Sequence, residues 1–208
     1  MNLKLTFDNV KTVVQEKGHS WWEGEYNVFL YGIRSRSLLV DLWNDVLGVC
    51  YIDKFGNKIN LMHKGSTKPG LNWLKQKKGN INGTAIVQPG QYRGCWVIGD
   101  HSGYPALVQS RLGVFKVWRD NNQDGKFDFQ GPTYTDVTGL NMHTESLQTD
   151  IEKVGPYSAG CQVRAFDKEH FMVVNVCKLS NELYKGPMSY TLLEERDFLP
   201  LFADVKIP

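Results

Sequence analysis

The sequence predicts an α+β fold that is mainly β, with a mostly antiparallel sheet and flanking helices. Three observations predict it. Apolar and aromatic residues form several short strand-like runs, the connections between these runs are short, and helical periodicity occurs in only two places. Short connections favour antiparallel hairpins, because a parallel pair needs a crossover of a dozen or more residues. The 208 residues are 41% hydrophobic and 22% charged, which is typical of one globular domain spanning residues 1–208.

The first element is predicted to be an amphipathic helix. Three valines recur at helical spacing between residues 7 and 18. We expect Asp8 to cap this helix and Gly18 to end it, since a short acidic side chain favours a helix start and a glycine favours a helix end. The valine face should pack against the rest of the protein.

Strand-like segments occupy most of the chain that follows. They are expected at residues 26–31, 46–52, 58–62, 92–98, 106–109, 113–119 and 189–193. Before the last of them, Asp167 is expected to cap a second helix that runs to about Leu183, with Cys177 in the core and His170 on the surface. Residues 198–207 form a largely apolar tail that we expect to lie across the sheet.

The strongest chemical signal is a cysteine that follows small residues. Cys161 lies in the run Ser-Ala-Gly-Cys-Gln at 158–162, and His143 precedes it by eighteen residues. The neighbouring glycine leaves room for an incoming carbonyl group. A cysteine nucleophile reacts as the thiolate and needs a nearby base, for which His143 is the candidate. The alternative is a buried apolar cysteine, because free cysteine is among the most buried residue types.

This pattern resembles the signature of the L,D-transpeptidase catalytic domain, also called YkuD-like. The resemblance implies a β-sandwich scaffold in which Cys161 attacks the carbonyl group of a diamino acid in a peptidoglycan stem peptide. It also implies that His143 is the base and that the backbone oxygen of Thr144 orients its imidazole. The chain has Ala159 where the family has a second His, and Val163 where the family has Arg or Asn.

The remaining predicted site residues surround the nucleophile. The resemblance implies that backbone N–H groups around Gly160 and Cys161 hold the oxyanion, with Ser158 shaping that site. Arg164 is a candidate for binding the carboxylate of a stem peptide through a bidentate hydrogen bond, with an ordinary surface position as the alternative. This chemistry requires no cofactor.

Much of the chain also resembles a group of phage and bacterial proteins that share four short motifs. In this chain they occupy residues 32–34, 89–92, 158–162 and 190–193. This resemblance favours an endolysin-like peptidase that hydrolyses the thioester. The alternatives are a true L,D-transpeptidase that forms crosslinks, and a non-catalytic virion or wall-binding protein of the same fold.

The N-terminus has no signal-peptide pattern, so we expect synthesis in the cytoplasm and action on the wall or periplasm after release. No stretch is apolar enough to span a bilayer. The formal charge is only +2 and basic residues are scattered, apart from Lys75, Lys77 and Lys78, which excludes the footprint of a nucleic-acid binder. The sequence does not predict an oligomeric state.

A structural calcium ion is a further candidate ligand. The loop at 120–131 has oxygen side chains at positions 1, 3, 5 and 9 of a calcium-binding loop, and Gly at position 6. These oxygen side chains are Asp120, Asn122, Asp124 and Asp128. Position 12 is Gly131 instead of Glu, so affinity should be weak unless Asp136 completes the site. The alternative is a hairpin turn in which the polar side chains bond their own backbone.

A zinc peptidase is the rival enzyme class. Five histidines, at 19, 63, 101, 143 and 170, could supply ligands together with the acidic residues. Their spacing matches neither His-x-x-x-His nor His-Glu-x-x-His, so the sequence gives this class no specific support.

Overall fold

The computed structural model describes residues 5–76, 80–145 and 152–201. The strands within these residues are β1 (Phe29–Arg34), β2 (Asp45–Ile52), β3 (Lys58–Ser66), β4 (Thr84–Val87), β5 (Gly90–His101), β6 (Tyr104–Gln109), β7 (Val117–Asp120), β8 (Met142–Thr144), β9 (Gln162–Arg164) and β10 (Met188–Glu194). The helices are α1 (Phe7–Glu16), α2 (Leu71–Leu74), α3 (Asp167–Tyr184) and α4 (Glu195–Phe198), with a short 3-10 helix at Gly155–Tyr157. The mainly β composition with a few helices agrees with the predicted α+β class.

Eight of the described strands close into a barrel in the order β1, β10, β5, β6, β8, β9, β3 and β2, which pairs again with β1. Strands β4 and β7 form a separate two-stranded sheet. These eight strands form one closed sheet, so the expected β-sandwich of two packed sheets is wrong for them. Closure depends on β10, which pairs with β1 on one side and with β5 on the other.

Most pairings in the barrel are antiparallel, as expected, but β1 with β10 and β8 with β9 are parallel. Both parallel pairs join segments that are distant in sequence, so hairpin signals could not predict them. The pairing of β8 with β9 is the one that organises the candidate site.

Helix α1 matches the predicted amphipathic helix, with Val10, Val13 and Val14 buried. Its cap differs from the prediction: Thr6 is the N-cap, its Oγ1 accepting a hydrogen bond from the Asn9 backbone N–H at 3.1 Å. Thr6 precedes the first helical residue, where a capping side chain can reach the free N–H groups, whereas Asp8 lies inside the first turn. The predicted Gly18 follows the helix end with a φ of +71°.

Helix α3 begins at the predicted Asp167, but Phe166 is the N-cap and makes no side-chain capping bond. Cys177 is buried, as predicted. The expectation that His170 lies on the surface is wrong, because its side chain is fully buried and its Nε2 lies 2.9 Å from the Pro105 carbonyl oxygen. Burial lowers the pKa of His170 to about 3, so this ring is neutral at physiological pH.

Two clusters of buried apolar side chains hold the elements together. The larger one includes Leu47, Trp96, Leu107, Met142 and Tyr190, and α3 contributes to it. The smaller one packs α1 against β1 and β2. None of the helices in the described chain combines the length and the apolar character needed to cross a membrane. Lys77, Lys78 and residues 202–207 of the predicted tail lie outside the described residues.

Candidate functional site

The candidate site is built on the parallel pair of β8 and β9. His143 on β8 pairs with Val163 on β9, and the Gln162 N–H donates to the Asn141 carbonyl oxygen at 2.9 Å. Extending this register by two residues sets Cys161 opposite Asn141. Cys161 directly precedes β9, and if the alternation of that strand continues to it, its side chain lies on the same face as that of His143. Their Cα atoms are then roughly 8 Å apart, from the spacing and rise of paired strands.

The imidazole of His143 is oriented by its neighbour in sequence. Its Nδ1 lies 2.7 Å from the Thr144 backbone oxygen, which is the contact that the family resemblance implies. The Tyr104 hydroxyl donates to the same oxygen at 2.8 Å. Since a carbonyl oxygen only accepts, Nδ1 carries the proton and the lone pair is on Nε2. This is the tautomer that a general base needs.

A second histidine, which the sequence offered only as one of five possible zinc ligands, stacks on His143. The rings of His101 and His143 have centroids 4.0 Å apart and planes inclined by 19°. The Asn141 side-chain amide donates to His101 Nδ1 at 3.1 Å. Burial, and secondarily the nearby His101, lowers the pKa of His143 to about 4. At neutral pH His143 is therefore an uncharged base.

Cys161 is half-buried, whereas the other three cysteines, at 50, 95 and 177, are buried. Its sulfur lies 3.4 Å from the Gly139 carbonyl oxygen. Burial raises the pKa of the thiol, and a backbone hydrogen bond from Asn141 opposes that rise. Among the described contacts, the sulfur and the His143 imidazole are not hydrogen-bonded. The resting state is therefore a neutral thiol beside a neutral imidazole, instead of a thiolate–imidazolium pair.

The turn before Cys161 is held by internal hydrogen bonds. The buried Ser158 hydroxyl donates to the Cys161 carbonyl oxygen at 2.8 Å and accepts from the Gly160 N–H at 3.2 Å. Gly160 has a φ of +121°, and a Cβ atom there would lie 2.6 Å from the Ala85 carbonyl oxygen. The Gly160 N–H donates to Ser158 in this conformation, so its role as an oxyanion donor stays a prediction that requires this hydrogen bond to break. Ser158 shapes the turn, which leaves the Cys161 N–H as the candidate donor.

Arg164 is not available to a substrate. Its side chain is fully buried, and Nη2 donates a long hydrogen bond to the Leu47 carbonyl oxygen at 3.4 Å. Among the residues that the structure describes, Nε and Nη1 have no hydrogen-bond partner. Burial lowers the pKa of Arg164 to about 10. The predicted role in binding a substrate carboxylate is therefore wrong, because the alternation of β9 directs position 164 away from the face that carries position 161.

A cavity of about 350 Å³ opens beside Cys161. Its lining includes Cys161 and Ala159 from the cysteine turn, and Leu140 and Gly139 from the segment before β8. Arg119, on β7, lines the same cavity and was not predicted as a site residue. His143 is 3% exposed and is not among the lining residues, so solvent reaches the thiol more readily than it reaches the base.

The predicted calcium loop forms a turn whose polar groups bond one another. Asn122 Nδ2 donates to Asp128 Oδ2 at 3.0 Å, and the Asp128 N–H donates to Asp120 Oδ2 at 3.1 Å. Asp124 Oδ1 accepts from the Lys126 N–H at 2.8 Å. Within residues 5–76, 80–145 and 152–201, the other oxygen of the buried Asp120 has no hydrogen-bond partner. Burial raises the pKa of Asp120 to about 6, and the carboxylates at 124 and 128 contribute to that rise.

Within the described residues, no group of three or more His, Cys, Asp or Glu side chains is arranged to hold a metal ion. The turn thus has the internal bonding of the hairpin alternative, with one unpartnered carboxylate oxygen available to a cation. Calcium binding stays a prediction.

Some of the site residues could have been found from the sequence. Asn141 precedes His143 by two positions, so strand alternation puts both on one face once β8 is recognised. His101, Tyr104 and Arg119 have no local motif, and they reach the site through pairings between distant segments.

The chain was compared with protein-family models, with curated proteins and with solved structures. None of these three comparisons finds a match.

Proposed function

We propose that this protein is a cysteine acyl-transfer enzyme that acts on peptidoglycan stem peptides through a thioester at Cys161. One observation carries the proposal. The parallel pairing of β8 and β9 brings Cys161, the residue before β9, near the strand that carries His143, and Nδ1 of the imidazole lies 2.7 Å from the Thr144 carbonyl oxygen. A thiol in a cavity, a nearby base and a group that orients the base are the parts that nucleophilic catalysis requires. The choice of stem peptides as substrate comes from the family resemblance.

The neutral resting state favours a general-base mechanism. On substrate binding, the sulfur leaves the Gly139 carbonyl oxygen and its proton passes to His143 Nε2 as the sulfur attacks the substrate carbonyl carbon. The Cys161 N–H stabilises the oxyanion that forms. The imidazolium then returns the proton to the leaving amine, which departs as the thioester forms. A general base in this position contributes about 10²- to 10⁴-fold to the rate.

Hydrolysis is the proposed fate of the thioester. Water attacks the acyl carbon, His143 accepts its proton and then protonates the departing sulfur, which restores the enzyme. Transfer to an amine would share the first half-reaction and form a crosslink, so the two outcomes differ only in the second nucleophile. The resemblance to phage proteins favours water.

Mass spectrometry of muropeptides incubated with the protein tests the proposal. Hydrolysis in H₂¹⁸O predicts fragments that carry one ¹⁸O at the new carboxyl group, and transfer to an amine predicts crosslinked products without it. We expect Cys161→Ala to abolish both kinds of product and His143→Gln to reduce them by about 10²-fold or more. Equal product from the wild-type protein and Cys161→Ala would refute the proposal.

A non-catalytic wall-binding protein is the second candidate function. The observation that favours it is the sulfur's contact with the Gly139 carbonyl oxygen, with no hydrogen bond to the imidazole among the described residues. This candidate predicts that Cys161→Ala sediments with purified cell walls as the wild-type protein does, and that neither protein releases fragments.

A further inference from the structure

Arg119 lines the same cavity as Cys161. Among the described residues that line this cavity, it is the one with a cationic side chain. It lies on β7, directly opposite Ala85 on β4. The Ala85 backbone in turn packs against Gly160, the residue before the nucleophile. These contacts connect Arg119 to the turn before Cys161. A short peptide can therefore reach both the guanidinium and the sulfur.

One edge of the Arg119 guanidinium is already occupied. Nη1 donates to the Gly83 carbonyl oxygen at 3.2 Å, which anchors the group to the residue before β4. The opposite edge, formed by Nε and Nη2, is the one that binds a carboxylate with two parallel hydrogen bonds. Within the described part of the chain Nε has no hydrogen-bond partner, although the side chain is only 6% exposed. A buried N–H without a partner is costly, so an anion that accepts a hydrogen bond from Nε would remove that cost.

Asp136 covers this edge loosely. Its Oδ1 lies 3.6 Å from Nη2, which is beyond hydrogen-bonding distance, and its side chain is 63% exposed. Arg119 is buried, but the two side chains are too far apart for a hydrogen bond and the Asp136 carboxylate is mostly solvated, so little holds Asp136 in place. Asp136 can therefore move into solvent and leave the Nε–Nη2 edge open to an incoming anion.

We propose that Arg119 is a specificity-determining residue that binds a free carboxylate of the substrate peptide, next to the acyl group that Cys161 attacks. The proposal rests on the proposed function, since it assigns the substrate class of the same site: peptides with an unblocked carboxylate. The cavity of about 350 Å³ is near the lower end for ligand pockets, which suits a short peptide segment. A carboxylate is planar and accepts two hydrogen bonds, so it fits the Nε–Nη2 edge of the guanidinium. An amide of the same shape would bring its N–H groups against those of Arg119.

Two stem peptides that differ at one group test this assignment. One has a free side-chain carboxylate on the diamino acid, and the other has a carboxamide there. Binding is measured by calorimetry on Cys161→Ala, and kcat/KM is measured on the protein with its cysteine. We expect the carboxylate peptide to be preferred by about tenfold or more in both measurements, as for a charged hydrogen-bonded pair.

Substitutions at Arg119 should remove that preference. Arg119→Gln is expected to reduce the acid-to-amide ratio to about 1, and Arg119→Lys, which keeps the charge without the fork, should retain part of it. Arg111→Gln is the matched control, because Arg111 lines a neighbouring cavity that does not include Cys161, and it should leave the ratio unchanged. Circular dichroism shows whether each variant is folded.

The outcomes separate this proposal from the proposed function. Turnover without a preference for the carboxylate, or a preference that survives Arg119→Gln, overturns the role of Arg119 and leaves the cysteine mechanism intact. A carboxylate preference in binding that Arg119→Gln removes, with no turnover by the wild-type protein, supports the binding site and refutes the enzyme.

Discussion

The rings of His101 and His143 stack with centroids 4.0 Å apart, and the side-chain amide of Asn141, the residue before β8, contacts His101 Nδ1 at 3.1 Å. Burial and the nearby His101 together lower the pKa of His143 to about 4. Because the base must be uncharged, activity should be lost as the pH falls through this value. Burial, with a smaller contribution from His101, therefore keeps His143 uncharged in mildly acidic conditions.

Replacing His101 should move that acidic limit. In His101→Phe the ring stack is kept but the positive charge that opposes protonation of His143 is removed, so the pKa of His143 should rise. The acid limb of kcat/KM against pH should therefore shift to higher pH. His19→Phe, at a histidine that follows α1, is the control and should leave the profile unchanged. An unshifted limb in His101→Phe would show that His101 does not influence the base.

The thiol of Cys161 should behave as an ordinary or weak nucleophile in the absence of substrate. Burial raises its pKa above the usual value of 9.0, so little thiolate exists at pH 7. The alkylation rate with iodoacetamide should rise with pH up to and beyond pH 9. Mass mapping should find the label on Cys161, since the other cysteines are buried. A rate that is already at its plateau near pH 6 would indicate a thiolate–imidazolium pair and contradict the general-base mechanism.

The turn before the nucleophile should not tolerate a side chain. Gly160→Ala combines a φ of +121° with a Cβ atom 2.6 Å from the Ala85 carbonyl oxygen. Gly139→Ala is the matched control, because Gly139 has a φ of +76° and no atom within 4 Å of an added Cβ. We expect the control to cost about 1–2 kcal/mol in the free energy of unfolding and Gly160→Ala to cost more. Urea unfolding measures both, and equal costs would show that the turn can move away from β4.

Asp120 should make the stability of the protein depend on pH. Burial raises the pKa of this carboxyl group to about 6, so the folded state binds its proton more tightly than the unfolded state. The stability from this group is fully present below the ordinary aspartate pKa and is lost as the pH rises to about 6. Asp120→Asn should therefore have a higher Tm than the wild-type protein at pH 8, and the gain should shrink towards pH 4. A constant difference would refute the assignment.

The same two proteins test calcium binding. If the unpartnered oxygen of Asp120 takes part in a calcium site, excess CaCl₂ at pH 8 should raise the Tm of the wild-type protein and have little effect on Asp120→Asn. MgCl₂ at the same concentration is the control for ionic strength. Equal shifts in both proteins would favour the hairpin alternative.

Sequence patterns within single segments correctly predicted several helices and strands. The valine spacing of α1 and the extents of β2 and β10 agree with the structure to within about two residues. Strands β8 and β9 were not predicted, because three residues are too short to establish an alternation. Barrel closure was not predicted either, since it depends on the pairing of β1 with β10.

The predictions for the site also separate into those that depend on adjacent residues and those that depend on strand pairing. The orientation of His143 by Thr144 involves adjacent residues and could be predicted from the motif. Whether Arg164 reaches a substrate depends on which face of β9 it occupies, and that required the strand register. The contribution of Arg119 depends on the two-stranded sheet of β4 and β7, for which the chain has no local motif that points to Cys161.

The most direct test of the central claim is to trap the acyl-enzyme. The wild-type protein is mixed with a stem peptide and quenched in acid, and its peptides are mapped by mass spectrometry. A thioester mechanism predicts an added mass equal to the acyl part of the substrate on Cys161, which hydroxylamine removes because it cleaves thioesters. Product release by Cys161→Ala at the wild-type rate would refute this mechanism, since the sulfur would then have no part in the reaction.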